Sequence, residues 1–204
     1  GQEYNAWSGD GGNPPDHTTI LPFTRLLGGP MDFTPGIFDL FFDAAGRPDN
    51  RVNTTLAKQL ALYVVIYSPM QMAADLPENY EGHPASAFIR DVPADWEKTV
   101  PLHASIGDFV TIARKERGGD DWYIGSITDE NGRTLEAKLS FLDVDREYEA
   151  TIYADAPGAD WKERPSMIEI RKERVRASSV LEIRLAPGGG QAIRVAPVVS
   201  PSPE

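Results

Sequence analysis

Apolar and polar positions change rhythm once along this chain. Up to about Leu102 the apolar residues recur at helical spacing between loop-forming stretches. From about Gly107 they alternate with period two. In the first half Asp16 is placed to N-cap a helix over residues 18–27, which Gly28-Gly29-Pro30 stops. A second helix is predicted over residues 56–67, capped by Asn53 or Thr54 and closed by Ser68-Pro69. Its apolar residues Leu56, Leu60, Tyr63, Val64 and Tyr67 fall on one face. Residues 79–89 read as a third helix, weakened by Gly82 and Pro84. Residues 31–33 and 70–75 read as short strands between these helices. Alternating helix and short strand is the grammar of α/β units on a parallel sheet. Asp32 and Asp75 then fall where strands end, and caps or salt-bridged loop carboxylates are the simpler reading of both.

In the second half Val110 and Ile112 alternate with Thr111 and Ala113, and Leu135, Ala137, Leu139 and Phe141 with Glu136, Lys138 and Ser140. The same rhythm returns at Ile168 and Ile170, at Leu181, Ile183 and Leu185, and at Ile193 and Val195. Gly118-Gly119-Asp120, Asn131-Gly132, Pro157-Gly158 and Pro187-Gly188-Gly189-Gly190 supply turns. Asn131-Gly132 is the strongest hairpin signal among them. Several one-sided strands predict an antiparallel β-sandwich. The basic run from Lys162 to Arg176, interleaved with Ile and Met, reads as a solvated sheet face. The predicted fold class is therefore α/β plus all-β, with the change between residues 102 and 108 and a frayed Pro/Ser-rich tail over 196–204.

Composition narrows the function classes. The 204 residues carry 31 acidic and 20 basic side chains, a net charge of −11. Such a balance disfavours nucleic acid and anionic membrane as partners, because phosphates require a basic footprint. Cysteine is absent, which excludes disulfides and thiol chemistry. The longest apolar run, residues 60–67, is far short of a membrane span.

The chemistry is concentrated at the start. Glu3 stands beside Tyr4 and Trp7, followed by a Gly/Asn/Pro loop. A carboxyl group partly desolvated by aromatic rings has its proton affinity raised, which suits a general acid, and Trp7 suits stacking on a sugar ring. A capping or surface Glu and a core Trp are the commoner uses of such residues. His17 reads as a helix-terminus residue, and it shows no metal-type spacing with His83 or His103. Trp122, Tyr123, Tyr153 and Trp161 are candidates for a sugar-binding platform on the sandwich. They serve as one only if they share an exposed face.

Four segments raise the specificity of this picture. Gly-Gln-Glu-Tyr-Asn-Ala-Trp (1–7), Gly-Asn-Pro-Pro-Asp-His (12–17), residues 21–36 from Leu-Pro-Phe-Thr to Thr-Pro-Gly, and Ser-Pro-Met-Gln-Met-Ala-Ala-Asp (68–75) resemble the end of the catalytic domain of glycoside hydrolase family 97. Residues 109–125, from Phe-Val-Thr-Ile to Tyr-Ile-Gly, resemble the start of that family's C-terminal domain. The resemblance implies an α-glucosidase, or next an α-galactosidase, acting on a short oligosaccharide, with a calcium ion at the active site. It implies the C-terminal part of a (β/α)8 barrel over residues 1–103, followed by a C-terminal β-sandwich over 108–204. An eight-fold barrel takes roughly 250 residues, so the expectation is a C-terminal fragment whose N-terminal partner segment belongs to the same polypeptide. Glu3 then matches the general acid and also lies at the calcium. Hydrolysis needs a second carboxyl group across the scissile bond, so the isolated fragment is expected to be inactive. The resemblance also implies a periplasmic protein. The alternative reading is a non-catalytic carbohydrate-binding or packing β-sandwich module.

Overall fold

The structure, a computed structural model, describes residues 11–43, 46 and 50–198. Glu3, Tyr4 and Trp7 lie outside the described residues, as does the tail from residue 199.

A six-stranded antiparallel sheet organises the molecule. Its strands are β1 (Trp96–Ser105), β2 (Phe109–Glu116), β3 (Trp122–Thr128), β5 (Tyr148–Asp155), β6 (Ile168–Val175) and β8 (Gly190–Pro197), in the spatial order β1-β2-β3-β8-β5-β6. The remaining strands, β4 (Arg133–Lys138) and β7 (Val180–Leu185), form a two-stranded sheet. That small sheet covers one face of the large one. Between them lie Trp122, Ile124, Tyr148, Ile152, Ile193 and Val195 from the large sheet, and Ala137, Leu181, Ile183 and Leu185 from the small one. The antiparallel sandwich predicted from period-two alternation is present.

The opposite face of the large sheet is covered by helix α2 (Leu56–Val65). Tyr123, Ile127, Tyr153 and Ala192 from the sheet share one core with Leu56, Leu60, Leu62, Val64 and Val65 of the helix. Two glycines set the closeness of this seam. A Cβ on Gly125 would meet the Ala61 carbonyl oxygen at 2.6 Å, and one on Gly190 would meet Lys58 Cα at 2.5 Å. The first half of the chain therefore packs directly on the sheet of the second.

Helix α2 departs from its predicted form. All ten of its residues are buried, so it is not a half-exposed amphipathic helix. A helix clad on every side must satisfy its polar side chains internally. The three polar residues before it divide that work. Thr55 is the N-cap, accepting from the Lys58 amide at 3.2 Å. Thr54 accepts from Gln59 Nε2 at 2.7 Å, and Asn53 bonds a distant loop.

Elsewhere in the first half the alternating α/β pattern is not realised among the described residues. Residues 18–27 form α1 (His17–Ile20) and two 3₁₀ turns, Leu21–Phe23 and Arg25–Gly28. Pro22 lacks an amide proton to continue an α-helix. Residues 79–89 divide into α3 (Pro77–Tyr80) and α4 (Ser86–Asp91), separated by Gly82 at φ +71°. The predicted strands at 31–33 and 70–75 do not form; Phe33 makes a single β-bridge. Before Trp96 the described residues contain no extended strand, so they show the sandwich and not the barrel portion of the expected fold.

Three strands were not predicted. β1 crosses the expected change of rhythm, because Pro101 and a register shift between Pro101 and His103 break its alternation. β3 is buried along its whole length and β5 nearly so, since helix and small sheet cover their two faces. Asn131-Gly132 does not close a hairpin. β3 pairs with β2 and β8, β4 pairs with β7, and neither turn residue has positive φ, so the turn carries the chain from one sheet to the other. Ala196 and Pro197, expected in a frayed tail, pair with Glu149 and Tyr148. Edge strand β6 confirms a solvated basic face: Lys172 and Arg174 reach Glu149, and Arg176 reaches Glu147.

Candidate functional site

The chemically loaded segment begins at Glu3, and the described structure meets it at Gly11. Gly11 and Gly12 take φ of +89° and +76°, a conformation that admits glycine without strain. From there the chain is held against the N-terminal turn of α2. Asn53 Nδ2 donates to the Gly11 and Asn13 carbonyls at 2.8 and 3.0 Å. Lys58 Nζ donates to the Pro15 carbonyl at 2.7 Å and, on its other side, to the Thr128 carbonyl at the end of β3, at 2.8 Å. Three alternate carbonyls, at residues 11, 13 and 15, are thus gripped by two side chains.

Lys58 has no solvent exposure. Burial pulls its pKa down to about 7, opposed by the negative charges of Glu130, Asp155, Asp129 and Asp16. Asp155, also buried, faces the same region. Burial raises its pKa to about 6, against hydrogen bonds from Thr55 and from the Ala186 and Gly190 amides, and the charge of Lys58. Those amides reach Asp155 Oδ2 at 2.9 and 3.0 Å.

A second grip lies one residue further along α2. Gln59 Oε1 accepts the amides of Gly36 and Ile37 at 2.9 and 3.0 Å. Tyr63 donates to the Met72 carbonyl at 2.6 Å, and Tyr80 to the Gly36 carbonyl at 2.7 Å. Asp75 has the structural role expected of it: Oδ2 accepts the Phe38 and Asp39 amides, and Oδ1 accepts the Leu76 amide and Asn79 Nδ2. Asp32 is exposed. A cleft of about 370 Å³ opens where this turn meets α3, lined by Phe38, Asp39, Asp43, Leu56, Asn79, His83 and Ser166. Its Asp39 accepts the Asp43 amide at 3.0 Å, which makes it a turn-forming carboxylate.

The three histidines have separate surroundings. His17 opens α1, and burial lowers its pKa. His83 Nδ1 accepts the Ala85 amide, and its ring meets Phe38 edge-on at 4.8 Å. His103 on β1 bonds the Glu136 carbonyl. Among the described residues no three His, Asp or Glu side chains converge as a metal site. The aromatic platform is not formed. Tyr123 and Tyr153 are buried under α2, Trp122 is buried on the opposite sheet face, and Trp161 packs against the Arg51 guanidinium.

Lys58 was not singled out from sequence, and Asn53 was read only as a cap of the second helix, a place that Thr55 takes. The available signal was a Lys-Gln pair inside an otherwise apolar run, Leu56 to Tyr67, too apolar to leave a solvated face.

Comparison with known proteins decides the family. Residues 95–196 match the family model described as glycosyl-hydrolase 97 C-terminal, oligomerisation. Over 201 residues, 96% of this chain, the sequence is 34% identical to the retaining alpha-galactosidase of Bacteroides thetaiotaomicron. The chain belongs to glycoside hydrolase family 97. Within family 97, an enzyme of Pseudoalteromonas sp. strain K8, solved in complex with panose, matches 96% of the chain at 53% identity with a TM-score of 0.90. A beta-arabinopyranosidase shares the fold at 23% identity, with a TM-score of 0.73 over 88% of the chain. The chain spans less than a third of the length of each of these relatives.

Proposed function

We propose that this chain is the C-terminal part of an α-glycosidase that hydrolyses α-glycosidic bonds of short saccharides, an α-glucosidase in first place. The observation that carries the reading is 53% identity, over 96% of the chain, to a family 97 enzyme solved with panose, a trisaccharide of α-linked glucose. An α-galactosidase is the second reading, supported by the curated relative at 34% identity.

Glu3 is the proposed general acid. It delivers a proton to the leaving glycosidic oxygen while a carboxylate from a preceding part of the polypeptide acts from the opposite side of the sugar. A calcium ion, a hard cation suited to carboxylate oxygens, is proposed at this site. Within this chain its proposed ligand is Glu3, as the resemblance to family 97 implies; the described residues offer no carboxylate cage for it. The β-sandwich is read as the part through which the protein oligomerises, after the description of the matched model. A periplasmic location goes with this reading. The described residues then act as a support, in which α2 and the sandwich hold the loops that follow Glu3.

The test is hydrolysis by the full-length polypeptide of panose and of an α-galactoside, with and without a calcium chelator. Preference for panose, lost on chelation, is expected. Preference for the galactoside selects the second reading, and hydrolysis of neither overturns both.

A further inference from the structure

We propose that the outer edge of β6 is the seam through which two copies of this protein pair, antiparallel about a two-fold axis at Ile170. The inference rests on the reading of the sandwich as the oligomerising part, and names the surface that performs it. The large sheet has two edges, β1 and β6, and they are built differently. β1 shifts register twice and carries Pro101, which has no amide to donate. Bulges and proline keep an edge strand from pairing further. β6 has neither. All eight of its residues, Ile168–Val175, pair with β5 without a shift, and all but Val175 reach the surface. Among the described residues no other strand pairs with its outer edge. A regular open edge is a template for one more strand, held by main-chain hydrogen bonds. The charges along β6 turn away a strand of arbitrary sequence and admit one that matches them.

The strand that matches is β6 itself. A two-fold axis normal to the sheet keeps every side chain on its own face, so the axis passes at a residue and opposes positions equally far from it. Centred on Glu169, Arg171, Lys172, Glu173 or Arg174, the pairing sets that charged residue against its own copy. Centred on Ile168 or Val175, the strands barely overlap. Centred on Ile170, it sets Ile170 against Ile170 and Glu169 against the partner's Arg171, twice by symmetry. Ile168 then lies against the partner's Lys172, and no like charges are opposed. The state of these side chains in the single chain agrees with that register. Ile170 is a large apolar residue left exposed. Lys172 and Arg174 already reach Glu149, and Arg171 stands 3.7 Å from Glu173. Among the described residues Glu169 is left with no ion pair. A seam of one strand per copy is small beside the roughly 1,200–2,000 Å² of a stable interface, so the pairing is expected to depend on protein concentration.

The experiment uses the full-length polypeptide, followed by sedimentation over a range of concentrations and by thiol cross-linking. Opposed residues of antiparallel strands have Cα atoms about 4.5–5.5 Å apart, within the roughly 4.4–6.8 Å of a disulfide. Ile170→Cys should therefore link two copies under mild oxidation, beyond any background in the parent polypeptide. In Lys172→Cys the two thiols would stand four residues apart along the seam, roughly 13 Å, and no link should form. Glu169→Arg alone, or Arg171→Glu alone, opposes like charges at two places and should raise the dimer dissociation constant about 10- to 100-fold. The double variant Glu169→Arg/Arg171→Glu should restore it, which a folding defect in either single variant would not allow. If the polypeptide stays monomeric at every concentration and Ile170→Cys forms no link, the oligomerising reading fails and the seam with it. If it associates, but Ile170→Cys forms no link and the single reversals change nothing, the seam is overturned and the reading stands on another surface. A link through Lys172→Cys in place of Ile170→Cys overturns the pairing at Ile170.

Discussion

Replacing Gly125 with alanine inserts one carbon into the seam between α2 and the large sheet. That carbon would sit 2.6 Å from the Ala61 carbonyl oxygen, 2.8 Å from Val64 Cβ and 3.1 Å from Val65 Cγ2. The two nearest atoms are a backbone oxygen and a Cβ, which no change of rotamer moves. The helix must therefore lift by most of an ångström. Gly125 does not have positive φ, so backbone strain is not the cause; the overlap is. Overpacking of this kind costs about 1–3 kcal/mol. The reduced entropy of the unfolded chain returns at most about 1 kcal/mol. The assay is urea unfolding of the chain followed by tryptophan fluorescence. The midpoint should fall with an unchanged slope, and the melting temperature should drop by about 2–4 °C per kcal/mol lost. Adding Val65→Ala should not restore it, since the two closest contacts remain. An unchanged midpoint in Gly125→Ala would refute the close approach of helix to sheet.

Other consequences follow from the same packing. Unfolded, Lys58 keeps its proton to about pH 10; folded, burial releases it near pH 7. Between those values the unfolded chain binds the extra proton, so stability should rise with pH by up to about 1.4 kcal/mol per unit, and Lys58→Met should flatten the urea-midpoint slope between pH 7 and 9. Asp155 works in the other direction. Its folded pKa, raised to about 6, makes its burial cheapest below about pH 4, so Asp155→Asn should gain stability relative to the parent as pH rises through 6. Thr55→Ala removes the cap of α2 and should cost about 0.5–2 kcal/mol in the same unfolding assay. The 204 residues alone should not turn over an aryl α-glycoside, because Glu3 cannot act as both acid and base or nucleophile; measurable turnover by the purified chain contradicts this.

Which elements were legible in the sequence follows from how many of their faces are covered. β4 and β7 face solvent on one side, so their apolar residues alternate cleanly, and Leu181, Ile183 and Leu185 announce the strand. β3 is covered on both sides, and Trp-Tyr-Ile-Gly-Ser-Ile-Thr offers no alternation to read. The same double covering hid the site. Lys58 and Gln59 look like the polar face of an amphipathic helix until the sheet is seen to cover Lys58 and the loop at Gly36-Ile37 to cover Gln59. Asn131-Gly132 is a true turn whose strands have other partners, and partner choice is a long-range property that no local pattern encodes. The family was accessible only through resemblance, and the candidate acid drew its specificity from the same source, since a lone Glu beside aromatic residues has many uses.

The central claim is that Glu3 delivers a proton to the leaving group of an α-glycoside. The direct measurement is kcat for Glu3→Gln in the full-length polypeptide on a natural saccharide and on a glycosyl fluoride, with and without added calcium. The account predicts a loss on the order of 10²–10⁴ on the saccharide and a much smaller loss on the fluoride, whose leaving group needs no proton. Equal losses on both, partly restored by calcium, would leave Glu3 a metal ligand that donates no proton and contradict the account.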